Sequence, residues 1–261
     1  MNPRENSLRE TLESDEPAFG VLDNTYSPEV VELLGEFGFD FVWMDLEHGG
    51  PSPWDGDALE ELLRAAELTD TELLVRIPEP NPAMVRKCLD VGVRNLFISR
   101  VKTAEEVREA LKAAHFEYDD GAGERGLAGP RAARYGQAKD YVGTEDEEVL
   151  VGVTIETEEA VENIEDILAV PELGFAFLGP NDLSIALGHP GNRDHPDVED
   201  AVATAEEAAL EHDVTLGGLT FGMDDAVEKV DAGYQLLHVG STLGALTGQF
   251  GSWHEAYENA R

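Results

Sequence analysis

The sequence predicts a single α/β domain, a closed (β/α)₈ barrel, and three observations predict it. Eight short apolar runs alternate with amphipathic stretches from about residue 17 onward. Most of these runs are continuously apolar rather than alternating, as parallel strands covered on both faces should be. The length of 261 residues is close to the ~250 that one such barrel takes. An open doubly wound sheet is disfavoured because the first strand ends GVLDNTYSP, with no Gly-rich phosphate turn. On this reading residues 1–16 are an N-terminal extension and 17–261 the barrel domain.

The strands read, in order, as PAFGVL, FDFVWMDLE, TELLVRIP, RNLFIS, EVLVGVTIE, FAFLGP, TLGGLTF and YQLLHVG. Helix signals lie between them. In SPEVVELLGEFG, Ser27 is the N-cap, Pro28 takes the first helical position and Gly38 stands near the stop. DGDALEELLRAAELTD, NPAMVRKCLDVG, TAEEVREALKAAHF and TEEAVENIEDILAV repeat the pattern, and residues 197–212, 223–232 and 243–260 supply the rest. Thr103 with Glu106 forms a capping box; Thr157 has Ala160 at the matching position and does not. Two long loops are expected, 117–144 and 186–197.

The chain carries 55 Asp and Glu against 18 Lys and Arg, a formal charge of −37. Such a field repels phosphate backbones and acidic membrane surfaces, so no nucleic acid and no membrane are expected as partners. The 42% hydrophobic content argues against disorder. Acid excess with few lysines is the pattern of a protein adapted to high salt, where screening removes self-repulsion. The lone Cys88 excludes an intramolecular disulfide. There is no run of 18 apolar residues and no apolar core near the N-terminus, so a cytoplasmic protein is expected.

In a barrel, chemistry collects at the C-terminal ends of the strands. Those ends carry Asp45, Glu47 and His48; Arg76; Ser99 and Arg100; Glu156; Gly179, Pro180, Asn181 and Asp182; Leu219 and Thr220; and Gly240 and Ser241. Taken singly, Glu156 and Asp182 also read as ordinary charges at helix starts. With a His and an Arg facing the same mouth, the functional reading is preferred. Glu156 and Asp182, on adjacent strands, would repel unless a divalent cation joined them. All-oxygen ligation suits Mg²⁺ or Mn²⁺ and leaves positions open for a chelating 2-oxo acid. Arg76 would stabilise the enolate oxygen or bind a carboxylate. His48 is a general base acting through a water, or alternatively a supporting or capping residue; Asp45 would orient its ring. The GPND turn opens a helix whose amides would hold a carboxylate.

Imine chemistry needs a lysine at a strand end inside the barrel. Lys87, Lys112 and Lys229 fall in helices, Lys139 in a loop, and Lys102 two residues past a strand. Metal-dependent enolate chemistry is favoured instead.

The motifs GFDFVWMDLEHG, VRIPEPNP, LDVGVRNLFISRVKTAEE, GERGLAGPRAARYG, TIETEEAVENIEDILAV, FLGPNDLSIALGHPGN and HPDV together resemble the HpcH/HpaI aldolase family. These are class II pyruvate aldolases with barrels of the phosphoenolpyruvate/pyruvate type, acting on substrates such as 4-hydroxy-2-oxoheptanedioate and 2-dehydro-3-deoxyglucarate. The resemblance runs from about residue 17 to 255. It implies that Glu156 and Asp182 bind the divalent metal (Mg²⁺, Mn²⁺ or Co²⁺), that His48 and Asp45 form the catalytic dyad and that Arg76 stabilises the enolate. It further implies that Gly179, Pro180 and Asn181 hold the pyruvate carboxylate and that Leu219 lines the pocket. Thr154 stands in the pocket where the family commonly has Gln. Ser99-Arg100 and Leu22 replace an apolar strand end and an aromatic residue. The family's hexamer, a trimer of dimers that exchange their last helix, implies a homo-oligomer. The function implied is reversible cleavage of a 4-hydroxy-2-oxo acid to pyruvate and an aldehyde. The alternatives are an acyl-CoA lyase of the citryl or malyl type, or a barrel that binds a 2-oxo acid without turnover.

Overall fold

The computed structural model describes residues 5–261. Eight parallel strands close into a barrel: β1 Ala18–Leu22, β2 Phe41–Asp45, β3 Glu72–Ile77, β4 Asn95–Ile98, β5 Leu150–Ile155, β6 Phe175–Leu178, β7 Thr215–Leu219 and β8 Tyr234–Ser241. Each pairs with its neighbours in sequence, and β8 returns to β1, Ala18 standing opposite Leu236. All eight expected strands are present. β2 through β6 are buried along their whole length, which explains their unbroken apolar character.

Alternation along the strands sorts the core into two clusters. Outward residues such as Val42, Val75, Leu96, Val153 and Leu237 pack under the helices. Inward residues fill the barrel in layers contributed by alternate strands. One layer is Trp43, Phe97, Phe177 and His238. Its rings meet at centroid distances of 5.1 Å (Trp43–Phe97), 5.5 Å (Trp43–Phe177) and 5.2 Å (Trp43–His238). Rings of this size leave little room beside them: a Cβ on Gly152 would lie 2.4 Å from the Phe175 ring, and one on Gly217 2.7 Å from Phe177.

Helix α1, Ser7–Glu13, stands at the N-terminal end of the barrel. Its Leu8 and Leu12 are buried in the interior cluster. Asn6 caps it and bonds Asn95 of β4 at 2.7 Å. The first four residues of the extension lie outside the described ones. Helices α2 Pro28–Glu36, α3 Gly56–Ala66, α4 Pro82–Val91 and α5 Ala104–Ala114 surround the first half. The Thr103–Glu106 capping box forms as expected, whereas Ser27 holds the N-cap position of α2 without a side-chain capping bond.

The expected loop 117–144 is partly ordered otherwise. It holds a hairpin, Glu117–Tyr118 with Gly121–Ala122, and the start of helix α6, Tyr141–Glu148. α6 shows no apolar period because its buried residue is charged: Glu145 pairs with Arg94 at 2.6 Å and Arg125 at 2.9 Å. The single helix expected over 157–170 is two, α7 Glu158–Glu162 and α8 Ile164–Leu168, with Asn163 between them. Then follow α9 Pro180–Ala186, α10 Pro196–Glu211, α11 Met223–Asp231 and α12 Thr242–Asn259. α12 buries none of its residues. Leu243, Leu246, Phe250, Trp253 and Tyr257 are exposed along it at alternating spacings of three and four, a coiled-coil-like seam. No described helix is long and apolar enough to cross a membrane.

Candidate active site

The aromatic layer of Trp43, Phe97, Phe177 and His238 is the floor of the C-terminal mouth. Above it the odd strands contribute Leu22, Arg76, Thr154 and Leu219. Above those stand Asp45, Ser99 and Gly179, and Glu156 leaves the end of β5. The strand registers set this order, with Asp45 opposite Arg76, Phe97 opposite Gly152 and Thr154 opposite Phe177.

Arg76 lies at the centre. Its Nε and Nη2 donate to Asp45 Oδ1 and Oδ2 at 2.9 and 2.6 Å, a bidentate pair. Its Nη1 is 3.4 Å from Glu47 Oε2. The guanidinium lies over the Trp43 ring, 5.0 Å from the centroid. Burial alone would raise the Asp45 carboxyl, but the hydrogen bonds and charge of Arg76, with the amides of Glu47 and His48, hold it below its usual value. Asp45 therefore orients Arg76 and the 45–48 turn. Its Oδ1 accepts from the backbone N–H of His48 at 3.3 Å. The His48 ring instead has Nε2 3.7 Å from Glu47 Oε2 and its side chain is mostly exposed. The expected ring-to-Asp45 contact is absent because the planar guanidinium takes both carboxylate oxygens.

Glu156 is buried, and its Oε1 accepts the backbone N–H of Arg100 at 2.7 Å. Arg100 adopts the left-handed conformation, φ 61°, which turns that amide toward the carboxylate. Burial pushes the Glu156 pKa up to about 7; the Arg100 bond opposes, while the charges of Glu47 and Asp182 add to the rise. Gly179 lets the chain pass close to it: a Cβ there would lie 2.9 Å from Glu156 Cβ and 3.4 Å from Oε2. Pro180 opens α9, and no side chain caps that helix start. Asn181 is exposed and Asp182 half-buried in its first turn. Leu219 packs against the floor. Thr154 is buried, its Oγ1 without a hydrogen-bond partner.

Glu47 flanks the Arg76 guanidinium and Glu156 feels the charges of Glu47, Asp182 and Arg76, so carboxylates gather at this end of the barrel, with the orphaned Thr154 Oγ1 nearby. A divalent cation fits this donor set: it is all oxygen, it is anionic in excess, and burial raises the pKa of Glu156, its most buried member, to about 7.

Sequence reasoning missed three members. Trp43 supports Arg76 and lies two residues before Asp45, so strand parity could have found it. His238 forms part of the floor, both ring nitrogens without partners, and burial lowers its pKa to about 4. Tyr26 donates from its hydroxyl to the Asp45 carbonyl at 3.1 Å; nothing in the sequence signals it.

A family model described as HpcH/HpaI aldolase/citrate lyase matches residues 20–247. A hydroxypyruvate/pyruvate aldolase of Paraburkholderia phytofirmans is 33% identical over 242 residues, covering 91% of this chain and 92% of that protein. A 5-keto-4-deoxy-D-glucarate aldolase of Salmonella paratyphi C is 32% identical over 241 residues, 92% of each. The crystal structure of an HpcH/HpaI aldolase/citrate lyase family protein from Burkholderia cenocepacia superposes with a TM-score of 0.90 at 32% identity, covering 97% of this chain and 99% of that one.

Proposed function

Because the chain belongs to the HpcH/HpaI aldolase/citrate lyase family, we propose that it is a class II aldolase that reversibly cleaves a 4-hydroxy-2-oxo acid to pyruvate and an aldehyde. The observation that carries the proposal is the excess of carboxylate at the mouth. Asp45 and Glu47 flank a single guanidinium, and Glu156, pushed up to about pKa 7 by burial, also feels the like charges of Glu47 and Asp182.

Glu156 and Asp182 would hold a divalent cation of the Mg²⁺, Mn²⁺ or Co²⁺ type. Bound there, it would supply the Lewis acid that polarises the 2-oxo group. The chain's own residues supply the rest. Arg76, fixed on one edge by Asp45 and on one face by Trp43, presents its remaining N–H groups where enolate charge develops. The uncapped amides of Asn181 and Asp182 receive the substrate carboxylate, and Gly179 keeps the approach open. Leu22, Leu219 and the aromatic floor exclude water from the carbon being protonated or attacked. His48, at the exposed rim beside Glu47, moves the proton of the 4-hydroxyl through a water. Thr154 Oγ1 faces the donor substrate.

A homo-oligomer belongs to the same reading. The apolar seam of α12, exposed in one chain, would be covered by another copy, as in a hexamer built from dimers. A cytoplasmic location is part of the same proposal; among the described residues no helix is long and apolar enough to cross a membrane.

The test of the reaction is pyruvate release from a synthetic 4-hydroxy-2-oxo acid with Mn²⁺ present. The proposal expects release that chelation removes and Mn²⁺ restores, and none from Glu156→Gln. Undiminished release from Glu156→Gln would overturn it.

A further inference from the structure

Among the described residues, one other cluster brings metal-ligating side chains together. His189 and His195, on the loop between α9 and α10, and Asp197, in the first turn of α10, place three ligand atoms within 4.8 Å of one another. We infer that this cluster is a second metal site, selective for a borderline divalent transition metal of the Zn²⁺ class and separate from the carboxylate site in the barrel mouth.

The distances support this directly. His189 Nε2 is 2.9 Å and His195 Nδ1 3.6 Å from Asp197 Oδ2. A tetrahedral metal with bonds of about 2.0–2.1 Å separates its ligands by roughly 3.3 Å, which these two values bracket. The donor set of two imidazoles and one carboxylate suits Zn²⁺, Co²⁺ or Ni²⁺ and is a poor host for Mg²⁺.

The loop is fixed before any metal arrives. His189 N–H donates to Ser184 O at 2.7 Å, Asn192 N–H to His189 O at 2.9 Å and His195 N–H to Asn192 O at 3.2 Å. The fully buried Ser184 accepts the Gly191 N–H on its Oγ at 3.0 Å. The loop's one cation, Arg193, sits over the Phe221 ring at 3.6 Å, away from the ligand atoms. Both histidines are half-buried, so binding immobilises little that is free.

Two local changes accompany binding. The imidazole rings now stack, centroids 3.4 Å apart at 14°, so one must rotate to aim its lone pair. His195 Nδ1 now accepts the Asp197 N–H at 3.2 Å, capping α10; the metal takes that lone pair. His189 Nε2 gives up its hydrogen bond to Asp197, the ring taking the tautomer with its proton on Nδ1 so that Nε2 offers a lone pair. Bound there, the metal would brace the far end of α9, whose first turn carries Asp182.

The experiment uses the full chain as the Glu156→Gln/Asp182→Asn variant, which removes the proposed mouth site. It is titrated with Zn²⁺ in excess Mg²⁺, so that Mg²⁺ occupies ordinary surface carboxylates. The expected result is one Zn²⁺ per chain, with shifts of two histidine ring resonances in the NMR spectrum. Adding His189→Ala, with the circular dichroism unchanged, should weaken binding more than about tenfold. Adding Asp197→Asn should weaken it as well. Zn²⁺ binding that leaves the histidine resonances in place, or equal affinity in the His189→Ala variant, would overturn the inference. The outcome is independent of whether the mouth site catalyses aldol cleavage, because that site is absent from every protein tested.

Discussion

Asp45 holds Arg76 by two charge-assisted hydrogen bonds, Nε to Oδ1 at 2.9 Å and Nη2 to Oδ2 at 2.6 Å. The two residues stand opposite one another on β2 and β3, so the pair is set by strand register. Its consequence is a guanidinium that is aimed before substrate arrives. In Asp45→Asn one charged acceptor is lost and Arg76 is left to Glu47 and Glu156. The expected effect is a loss on the order of 10²-fold in kcat/KM, with pyruvate still bound. Steady-state kinetics with a pyruvate titration checks it.

The second prediction concerns Glu156 in metal-free protein. Its folded pKa of about 7 lies above the ordinary value of 4.5. The folded state thus holds a proton that the unfolded state releases. Stability from this group is full below about pH 4.5 and is lost as pH rises through about 7. The loss is on the order of 3 kcal/mol. A divalent cation favours the ionised carboxylate, so added Mn²⁺ should raise Tm more at pH 8 than at pH 5. Glu156→Gln should flatten both dependences. Thermal melts across pH, with and without Mn²⁺, measure them.

His238 carries the opposite sign. Burial lowers its pKa to about 4 from 6.5. The unfolded chain takes up a proton below about pH 6.5 and the folded chain does not until about pH 4. Stability therefore falls between those values as the solution is acidified, by on the order of 2 kcal/mol once its partial solvent contact is allowed for. His238→Leu keeps the interior layer filled and should reduce that acid-side decline. An unchanged decline would assign acid sensitivity to other groups.

Salt dependence follows from the charge of −37. At ~0.1 M salt the Debye length is still about 10 Å, and repulsion across the surface persists. Tm should rise continuously toward molar salt, and the assembly proposed through the α12 seam should dissociate on dilution of salt. Sedimentation velocity across a salt series tests both. Full stability and an unchanged mass at ~0.1 M would refute adaptation to high salt.

Much of the fold was legible because the barrel strands obey one rule. Most of them are continuous apolar runs, and that signal, with the helix signals between the runs, makes all eight strands legible. Placing the site needed only one further rule, that barrel chemistry lies at strand C-termini, and this brought Asp45, Arg76 and Glu156 together. The rest depended on information that spacing does not carry. The start of α6 reads as loop because its buried side is Glu145, satisfied by Arg94 and Arg125, and an apolar pattern cannot report a buried charge. The break at Asn163 falls where no Gly or Pro marks it. Proximity in sequence points from Asp45 to the His48 ring, whereas strand pairing delivers Arg76. Trp43 and His238 read as ordinary strand residues until the barrel closes and sets their rings edge to face.

The central claim, that this mouth forms the enolate of pyruvate, is tested most directly by following the pyruvate methyl protons by NMR in D₂O, in high salt, with and without Mn²⁺. The aldehyde partner need not be known. The account predicts deuterium exchange that requires Mn²⁺ and is lost in Glu156→Gln. No exchange by folded protein with Mn²⁺ bound would contradict it and point to thioester cleavage or binding without turnover.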